Sequence, residues 1–412
     1  MIVAVLGAGV VGVACAWYLR EAGHDVLVLD RQPAAGMETS FANGGQVSVS
    51  HAEPWANPGA LLKILKWLGR EDAPLLFRLR ADPQQWLWGL RFLAECLPGR
   101  NRANAAQLLR LGLYSRAALR ELRQTTGIEY DQQTRGILHF YLSERELAAS
   151  ARMTEFMRGL GSDRALKSAA ECVAIEPALG ALGHRLAGGT YSQDDESGDA
   201  HKFTQALAER CAARGVRFEN GVTVERLVAD GDRVEHVQVR GATAVRADAY
   251  ILCLGSYSAP VARTLGIPLA IYPAKGYSVT MPVKDASAAW TVSLTDESHK
   301  LVFSRFGERL RIAGTAELTG YDTSIHEARC RAIVDRTLEL FPGAGEPGKA
   351  QFWAGLRPAT PSNIPYVGRT RYRNLYLNTG HGTLGWTQAC GSGRALADLV
   401  SGRKPKVNFA FT

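Results

Sequence analysis

The stretch that decides the fold is Ile2–Gly12, which reads IVAVLGAGVVG. Its β-branched start predicts a short strand, and the pattern from Val10 to Ala22 predicts a helix that Gly23 closes. A second strand is predicted at Asp25–Leu29. A strand, a helix and a strand in this order form a right-handed crossover with parallel strands. The sequence therefore predicts an α/β fold.

The glycines of this stretch have the spacing of a dinucleotide-binding turn. Gly7 permits the tight turn, Gly9 lets a pyrophosphate approach the backbone, and Gly12 allows close packing of helix on strand. Asp30 ends the second strand, where a carboxylate accepts ribose hydroxyls, although the neighbouring Arg31 would also suit a 2′-phosphate. The predicted contacts in this stretch are Gly7, Gly9, Val10, Val11, Gly12, Asp30 and Arg31.

The rest of the chain predicts a discontinuous Rossmann-type domain with insertions of the α+β kind. Residues 1–57, 187–268 and 351–412 are predicted to form the nucleotide-binding domain. Residues 58–186 are predicted to be a largely helical insertion, and residues 269–350 an antiparallel-sheet substrate domain. Within them, Asp199 is expected to cap a helix, and a hairpin is expected to turn at Gly307–Glu308.

Composition excludes several classes of function. The formal charge of +8 comes from basic residues scattered along 412 residues, so nucleic acid is not an expected partner. The seven cysteines form no CxxC pair, which favours a reducing cytoplasm and gives no case for a metal. The apolar start lacks the basic region of a signal peptide.

FAD and NAD share the glycine fingerprint, so the choice of cofactor depends on other blocks of sequence. These are METSFANGGQVS (37–48), EPWANPG (53–59), LGSYS (254–258), YPAKGYS (272–278), AGTAEL (313–318), WAGLRPATP (353–361) and NTGHGTLGWTQACGSG (378–393). Together they resemble the FAD-containing subunit of bacterial D-amino-acid dehydrogenases. That family lies within the group of glycine, sarcosine and D-amino-acid oxidases.

The resemblance implies FAD as cofactor and a set of residues around it. A polar loop would run past the pyrophosphate and along the isoalloxazine ring, and a turn before the last helix would stabilise negative charge at N1–C2=O of the flavin. The loop residues are Thr39, Ser40, Asn43, Gly44, Gly45 and Gln46. The turn residues are Gly380, His381, Gly382, Thr383, Leu384 and Gly385. Val224 would pair with adenine, and Gly255 would border the cofactor.

The resemblance also implies a reaction and a substrate site. Arg357 would hold the carboxylate of a D-amino acid while hydride passes from Cα to flavin N5, which yields an imino acid and then a 2-oxo acid. Tyr272 and Tyr277 are expected to line the same pocket, and His381 to assist deprotonation of the amine. Electrons would pass to a quinone, a partner redox subunit or an artificial acceptor.

Several alternatives remain open at this point. The same motifs fit a dehydrogenase of cyclic imino acids such as D-proline or D-hydroxyproline, working with partner subunits, and a glycine- or sarcosine-type oxidase. A nicotinamide-dependent dehydrogenase and a non-catalytic flavin-binding subunit fit less of the sequence. The Leu- and Trp-rich stretch Leu61–Leu97 is a candidate face for docking a partner or the inner face of the cell membrane, with buried core as the competing interpretation. Burial of both Trp86 and Trp88 would exclude the docking interpretation.

Overall fold

Two large sheets organise the chain in its computed structural model, which describes residues 1–60, 75–241 and 243–412. The described strands are β1 (Ile2–Leu6), β2 (Asp25–Asp30), β3 (Gln46–Val47), β4 (Leu75–Phe77), β5 (Ile137–Tyr141), β6 (Ala165–Ser168), β7 (Gly188–Ser192), β8 (Glu196–Ser197), β9 (Arg217–Asn220), β10 (Val224–Asp230), β11 (Arg233–Val239), β12 (Ala249–Leu252), β13 (Tyr272–Pro282), β14 (Ser293–Asp296), β15 (Leu301–Phe306), β16 (Arg309–Leu318), β17 (Gln351–Ala359), β18 (Tyr366–Arg369) and β19 (Leu375–Thr379). The described α-helices are α1 (Val10–Glu21), α2 (Pro83–Glu95), α3 (Pro98–Thr126), α4 (Glu144–Gly159), α5 (Ala169–Ile175), α6 (Ala200–Ala213), α7 (Ser258–Arg263), α8 (Glu327–Leu340) and α9 (Gly385–Val400). Short 3₁₀ segments span Pro177–Arg185, Gly255–Tyr257, Pro347–Lys349 and Gly382–Leu384.

The first sheet has the strand order β18-β19-β12-β1-β2-β9, and every neighbouring pair is parallel except β18 and β19. Val3 and Val5 of β1 face the core shared with α1 and α9, whereas Ala4 and Leu6 face the core beneath the β10–β11 hairpin. Both faces of the strand are thus buried, as in other parallel sheets. This arrangement confirms the α/β fold and the crossover predicted from the first thirty residues.

The second sheet is mixed, with the order β17-β13-β16-β15-β14-β5-β7-β6, and β4 pairs with β16. Its β15–β16 hairpin turns at Gly307–Glu308, as predicted, because Phe306 pairs directly with Arg309. Val279 and Ile312 pack with Ile333 of α8 in one core on the outer face of this sheet. The other face is turned toward a cavity.

The five predicted segments remain a prediction as domain boundaries, and two of their strands lie in an unexpected sheet. β7 and β17 fall in segments predicted to belong to the nucleotide-binding domain, yet both pair within the second sheet. For β17 the reason is its long register with β13, from Tyr272 opposite Ala359 to Thr280 opposite Gln351. Strand pairing between distant parts of a chain is a tertiary property, which the local pattern does not carry.

The segment predicted to be a largely helical insertion contains the helices α2 and α3, and it also contains the strands β4, β5 and β6. Asp82 caps α2 by accepting a hydrogen bond from the backbone N–H of Gln84, and Asp199 caps α6 through His201 and Lys202, as predicted. The predicted apolar stretch LLKILKWL, at 61–68, lies outside the described residues.

Candidate active site

A cavity of about 1400 Å³ extends from the carboxyl ends of β1 and β2 to the inner face of the second sheet. Pockets for drug-sized ligands have volumes of roughly 300–1,000 Å³. The cavity therefore has room for a dinucleotide together with a small substrate. Every residue predicted to contact the cofactor lines it, with the exception of Gly12.

Three glycines shape the dinucleotide end, each for a different steric reason. Gly7 has a φ of 110°, and a Cβ added there would lie 2.6 Å from the carbonyl oxygen of Cys253. A Cβ on Gly12 would lie 1.9 Å from the carbonyl oxygen of Gly7, so Gly12 serves the packing of α1 on β1. At Gly9 the nearest protein atom would be 3.7 Å away, at Ser40 Oγ, which leaves its surface open to the cavity. This pattern fits a pyrophosphate that approaches Gly9.

Asp30 lies at the end of β2 with its carboxylate held in place. Oδ2 accepts a hydrogen bond of 2.6 Å from the backbone N–H of Ala8, and Oδ1 accepts one of 2.8 Å from Gln32. Burial raises the pKa of Asp30, and the two backbone bonds partly offset this rise. Each oxygen keeps a lone pair for a ribose hydroxyl.

The neighbouring Arg31 is engaged elsewhere. Its guanidinium lies 2.6 Å from Glu38 and stacks over the ring of Tyr257 at 3.9 Å. A 2′-phosphate would have to compete with both contacts. The site thus favours a dinucleotide with a free ribose.

The predicted polar loop begins with two residues whose hydroxyl groups form hydrogen bonds to the glycine turn and to the second sheet. Ser40 Oγ accepts a hydrogen bond of 3.1 Å from the backbone N–H of Val10, at the start of α1. Thr39 Oγ1 donates one of 2.8 Å to the carbonyl oxygen of Leu356 in β17. The loop is therefore fixed between the glycine turn and the second sheet.

The second half of the loop packs on the inner face of the second sheet. Asn43 Oδ1 accepts a hydrogen bond of 2.9 Å from the backbone N–H of Gly45. A Cβ on Gly44 would come within 3.1 Å of a side chain of β15, so this glycine allows close contact. The Gln46 amide donates to Thr295 Oγ1 at 3.2 Å. Val224 and Gly255, predicted from the same resemblance, line the cavity from β10 and the 3₁₀ turn.

The predicted glycine turn before the last helix also faces the cavity. Gly380 and Gly382 have φ values of 81° and 54°, which L side chains rarely adopt. The helix α9 begins at Gly385, and no side chain caps its N-terminus. The 3₁₀ segment Gly382–Leu384 leads directly into this helix, and the first N–H groups of such a helical segment lack partners within it. The turn can therefore offer donors to an electronegative atom in the cavity.

His381 is buried in this turn with a hydrogen bond of 3.1 Å between its Nε2 and Ser392 Oγ. Burial lowers the pKa of His381 to about 3. The imidazole is therefore neutral at physiological pH and is a weak base. This counts against the predicted role in taking a proton from the substrate amine.

Arg357 projects from β17 into the cavity. Its Nη1 donates a hydrogen bond of 2.8 Å to the carbonyl oxygen of Thr315, and a Cβ on Gly276 would lie 2.2 Å from its Cζ. Burial lowers the pKa of Arg357 to about 10, so it stays charged at neutral pH. Among the residues that the structure describes, Arg357 forms no ion pair. A fixed cation with its remaining donors toward a cavity is suited to bind an anion.

Of the two predicted tyrosines, Tyr277 lines the cavity and Tyr272 does not. Tyr272 does not line the cavity: its hydroxyl donates to Asp82 at 3.0 Å, and its ring packs near Trp88. Tyr277 borders the cavity, but its hydroxyl donates to Glu317 at 2.6 Å and its side chain belongs to the core of the outer face. Successive residues of a strand face opposite sides, so Tyr277 points away from the face on which Gly276 lies. The motif alone could not give that register.

The structure also brings together polar residues that the sequence analysis did not select. His51 and His139 stack with ring centroids 3.3 Å apart, and His139 Nδ1 lies 2.7 Å from Glu297 Oε1. Ligand atoms of these three residues lie within 4.8 Å of one another. Burial lowers the pKa of both histidines, and Lys300 pairs with Glu297, so the carboxylate charge is already balanced. The three side chains come from separate segments of the chain, and no spacing in the sequence links them.

The fold and the cavity define a class of protein, one that has a dinucleotide-sized cavity between a Rossmann-type sheet and a second, mixed sheet. Comparison with known proteins identifies the family. Residues 3–399 match the model of the FAD dependent oxidoreductase family, DAO, and the chain belongs to this family. It is accordingly an FAD-dependent enzyme.

Full-length relatives agree with this assignment. A protein of Dechloromonas aromatica is 57% identical, with coverage of 100% of this chain and 99% of the relative, and bears the name D-amino acid dehydrogenase. A protein of Paramagnetospirillum magneticum with the same name is 57% identical over 99% of this chain and 97% of its own length. Glycine oxidase from Geobacillus kaustophilus has a similar fold, with a TM-score of 0.78, 22% identity and coverage of 100% of this chain and 98% of the other.

Within residues 1–60, 75–241 and 243–412, no helix combines the length and the apolar character that a membrane span requires.

Proposed function

We propose that the chain oxidises D-amino acids at the Cα–N bond, giving 2-oxo acids after hydrolysis of the imino acid, and passes the electrons to a quinone or a partner redox subunit. The name D-amino acid dehydrogenase, carried by relatives that are 57% identical over their full length, supports this substrate class. A nicotinamide cofactor is disfavoured because the family is FAD dependent.

The observation that carries the proposal is the Arg357 guanidinium. It lies on the cavity wall, stays charged at neutral pH and forms no ion pair with any described residue. An amino-acid carboxylate supplies the missing charge and accepts two parallel hydrogen bonds from the planar fork. This pairing would fix the orientation of Cα, which is the main contribution that a protein makes to a reaction whose chemistry belongs to a cofactor.

The cofactor would be held by groups that are already in place. Gly9 and the start of α1 would face the pyrophosphate, and Asp30 would bind the ribose. The uncapped N-terminus of α9 would face the pyrimidine edge of the flavin. When bound, FAD supplies the acceptor for the hydride that leaves Cα. The N-terminus of α9 would stabilise negative charge that develops in this part of the cavity.

The substrate amine would enter the site as the neutral species. A base with a pKa of about 3, such as His381, is too weak to deprotonate an ammonium group efficiently at neutral pH. Activity should therefore rise with pH according to the ionisation of the substrate amine. His381 would line the cavity as an uncharged side chain and would not act as a base.

Anaerobic reduction of the bound flavin tests the proposal directly. The purified holoenzyme is mixed with D- and L-alanine, D-proline, D-hydroxyproline, glycine and sarcosine, and bleaching of the flavin absorbance is recorded. We expect D-alanine to reduce the flavin faster than L-alanine does. If D-proline or D-hydroxyproline reduces the flavin faster than D-alanine does, the cyclic imino acid alternative is favoured. If glycine or sarcosine does so, the substrate is that of a glycine- or sarcosine-type oxidase. Absence of reduction by every compound would contradict the proposal and favour a non-catalytic subunit.

We also propose that the outer face of α2 contacts the membrane surface that carries the electron acceptor. Trp88 and Phe92 of α2 are buried, whereas Trp86 and Leu90 are 54% and 66% exposed. Only one of the two tryptophans is packed inside, so the docking hypothesis stays a prediction. Co-sedimentation of the holoenzyme with anionic phospholipid vesicles tests it, and Leu90→Glu should reduce the bound fraction. Wild-type protein that stays in the supernatant would contradict it.

A further inference from the structure

Thr315 has a backbone conformation that is unusual for its residue type. Its φ is 52°, in the left-handed region. A β-branched residue rarely adopts this region, because its Cβ substituents crowd the backbone. Such strain persists only where the surrounding structure imposes it, and it often marks a functional site.

The strain coincides with an irregularity in the second sheet. Lys275 of β13 pairs with Glu317 of β16, but the next pair is Tyr277 with Gly314. Two residues of β16, Thr315 and Ala316, therefore lie opposite a single residue of β13, Gly276. This is a β-bulge, a feature that redirects backbone and side-chain groups at the edge of a site.

The bulge directs its groups at Arg357. The carbonyl oxygen of Thr315 accepts the 2.8 Å hydrogen bond from Nη1, and the guanidinium lies against the backbone of Gly276, opposite the bulge. A Cβ on Gly276 would meet Cζ and both terminal nitrogens at 2.2–2.3 Å. Only glycine at this position leaves room for the guanidinium in the observed place.

The hydroxyl of Thr315 completes the arrangement. Thr315 lines the cavity, and its Oγ1 is buried with no hydrogen-bond partner among the residues that the structure describes. A buried hydroxyl without a partner is costly, and a ligand atom that accepts its hydrogen bond would remove that cost. The carbonyl oxygen of the same residue accepts from Nη1 of Arg357, which leaves the other guanidinium donors for an anion.

We propose that the bulge forms a carboxylate cradle in which Thr315 Oγ1 donates a hydrogen bond to the substrate carboxylate paired with Arg357. Gly276 is a positioning residue, since its missing side chain lets the guanidinium lie on the sheet. This inference rests on the proposed function for the identity of the substrate. The cradle itself requires only a small carboxylate.

The first test measures binding of propanoate, a carboxylate without an amino group, to the holoenzyme by calorimetry. Thr315→Val removes the hydroxyl and keeps the branched shape, and it should weaken propanoate binding and the apparent affinity for D-alanine in anaerobic flavin reduction about tenfold. Thr315→Ser should regain most of the affinity. The melting temperature of Thr315→Val should match that of the wild type. Unchanged propanoate affinity in Thr315→Val would overturn the proposal, even if D-alanine oxidation slowed, because the hydroxyl would then contact another part of the substrate.

A double-mutant cycle tests Gly276. Gly276→Ala should abolish propanoate binding in the presence of Arg357, and it should have little further effect on propanoate or D-alanine once Arg357→Ala is present. Additive losses would show a structural defect and overturn the positioning role.

Failure of the proposed function can be distinguished from failure of the cradle. If the wild-type protein binds propanoate but no D-amino acid reduces its flavin, the D-amino-acid substrate is refuted and the cradle is retained. A wild-type protein that does not bind propanoate would refute the cradle.

Discussion

The two ends of the cavity are built in different ways. At the dinucleotide end, the glycine turn and Asp30 come from the first thirty residues and form one β-α-β unit. At the substrate wall, Gly276, Thr315 and Arg357 come from three strands, and they meet only because β13 pairs with both β16 and β17. The first end is local in sequence, and the second is a product of tertiary strand pairing.

This difference predicts a separation of function. Changes at the dinucleotide end should alter cofactor affinity or the packing of the first sheet, whereas changes at the substrate wall should alter reaction with substrate in a protein that keeps its FAD. Cofactor retention, stability and substrate reaction can each be measured in matched variants, which distinguishes the loss of one property from the loss of another.

The largest effect is expected at the substrate wall, from Arg357→Ala. Removal of one member of a buried charge pair costs about 2–5 kcal/mol, which corresponds to roughly thirty- to several-thousand-fold in catalytic efficiency. Arg357→Lys should be impaired less, since the charge remains and the planar fork is lost. Steady-state kinetics with D-alanine and an artificial electron acceptor measure the catalytic efficiency of both variants.

The control for this prediction is cofactor content. Both Arg357 variants should stay yellow, with the FAD occupancy of the wild type. Near-normal kinetics in Arg357→Ala would mean that another residue binds the carboxylate, and loss of FAD would mean that the two ends of the cavity are not separable.

A smaller effect is expected at the dinucleotide end, from Asp30→Asn. The amide keeps the shape and one oxygen acceptor, so it preserves part of the hydrogen bonding to Ala8 and Gln32 while it removes the charge. Hydrogen bonds to a charged group contribute about 1.5–3 kcal/mol, so FAD affinity should fall about ten- to hundredfold. Titration of the apoprotein with FAD, followed by flavin fluorescence, measures this. An unchanged dissociation constant would remove Asp30 from the cofactor site.

The glycine turn itself offers a matched pair of variants. Gly12→Ala places a Cβ 1.9 Å from the carbonyl oxygen of Gly7, whereas Gly9→Ala places it 3.7 Å from the nearest protein atom. Overpacking costs about 1–3 kcal/mol, so Gly12→Ala should destabilise the apoprotein. Gly9→Ala should leave the apoprotein stable and weaken FAD binding. Thermal unfolding without FAD separates the two, and equal melting temperatures would contradict the assignment of Gly12 to packing.

The same contrast explains what the sequence could and could not predict. The β-α-β unit, the cap at Asp199 and the hairpin at Gly307–Glu308 were predicted because short-range patterns determine them. The face on which Tyr277 lies and the sheet that β17 joins depend on pairing between distant strands. Thr315 could not be selected either, since a bulge depends on a mismatch between two strands and leaves no signal in one of them.

The smallest effect concerns the pH dependence of stability, and it tests the buried histidine of the glycine turn before α9. The folded state holds His381 with a pKa of about 3, whereas an unfolded chain has the ordinary value near 6.5. Below about pH 6.5 the unfolded state therefore binds a proton that the folded state does not. The stabilisation is present above that pH and is lost as pH falls toward the folded pKa, at about 1.4 kcal/mol per pH unit at most.

The variant His381→Gln should lack this slope. The free energy of unfolding of each protein is measured at about pH 6.5 and 5.5, and the two changes are compared, because this cancels any constant packing cost of the substitution. The wild type should lose about 1 kcal/mol more than the variant over that unit. Equal losses would mean that His381 takes up a proton in the folded protein, which would restore it as a candidate base for the substrate amine.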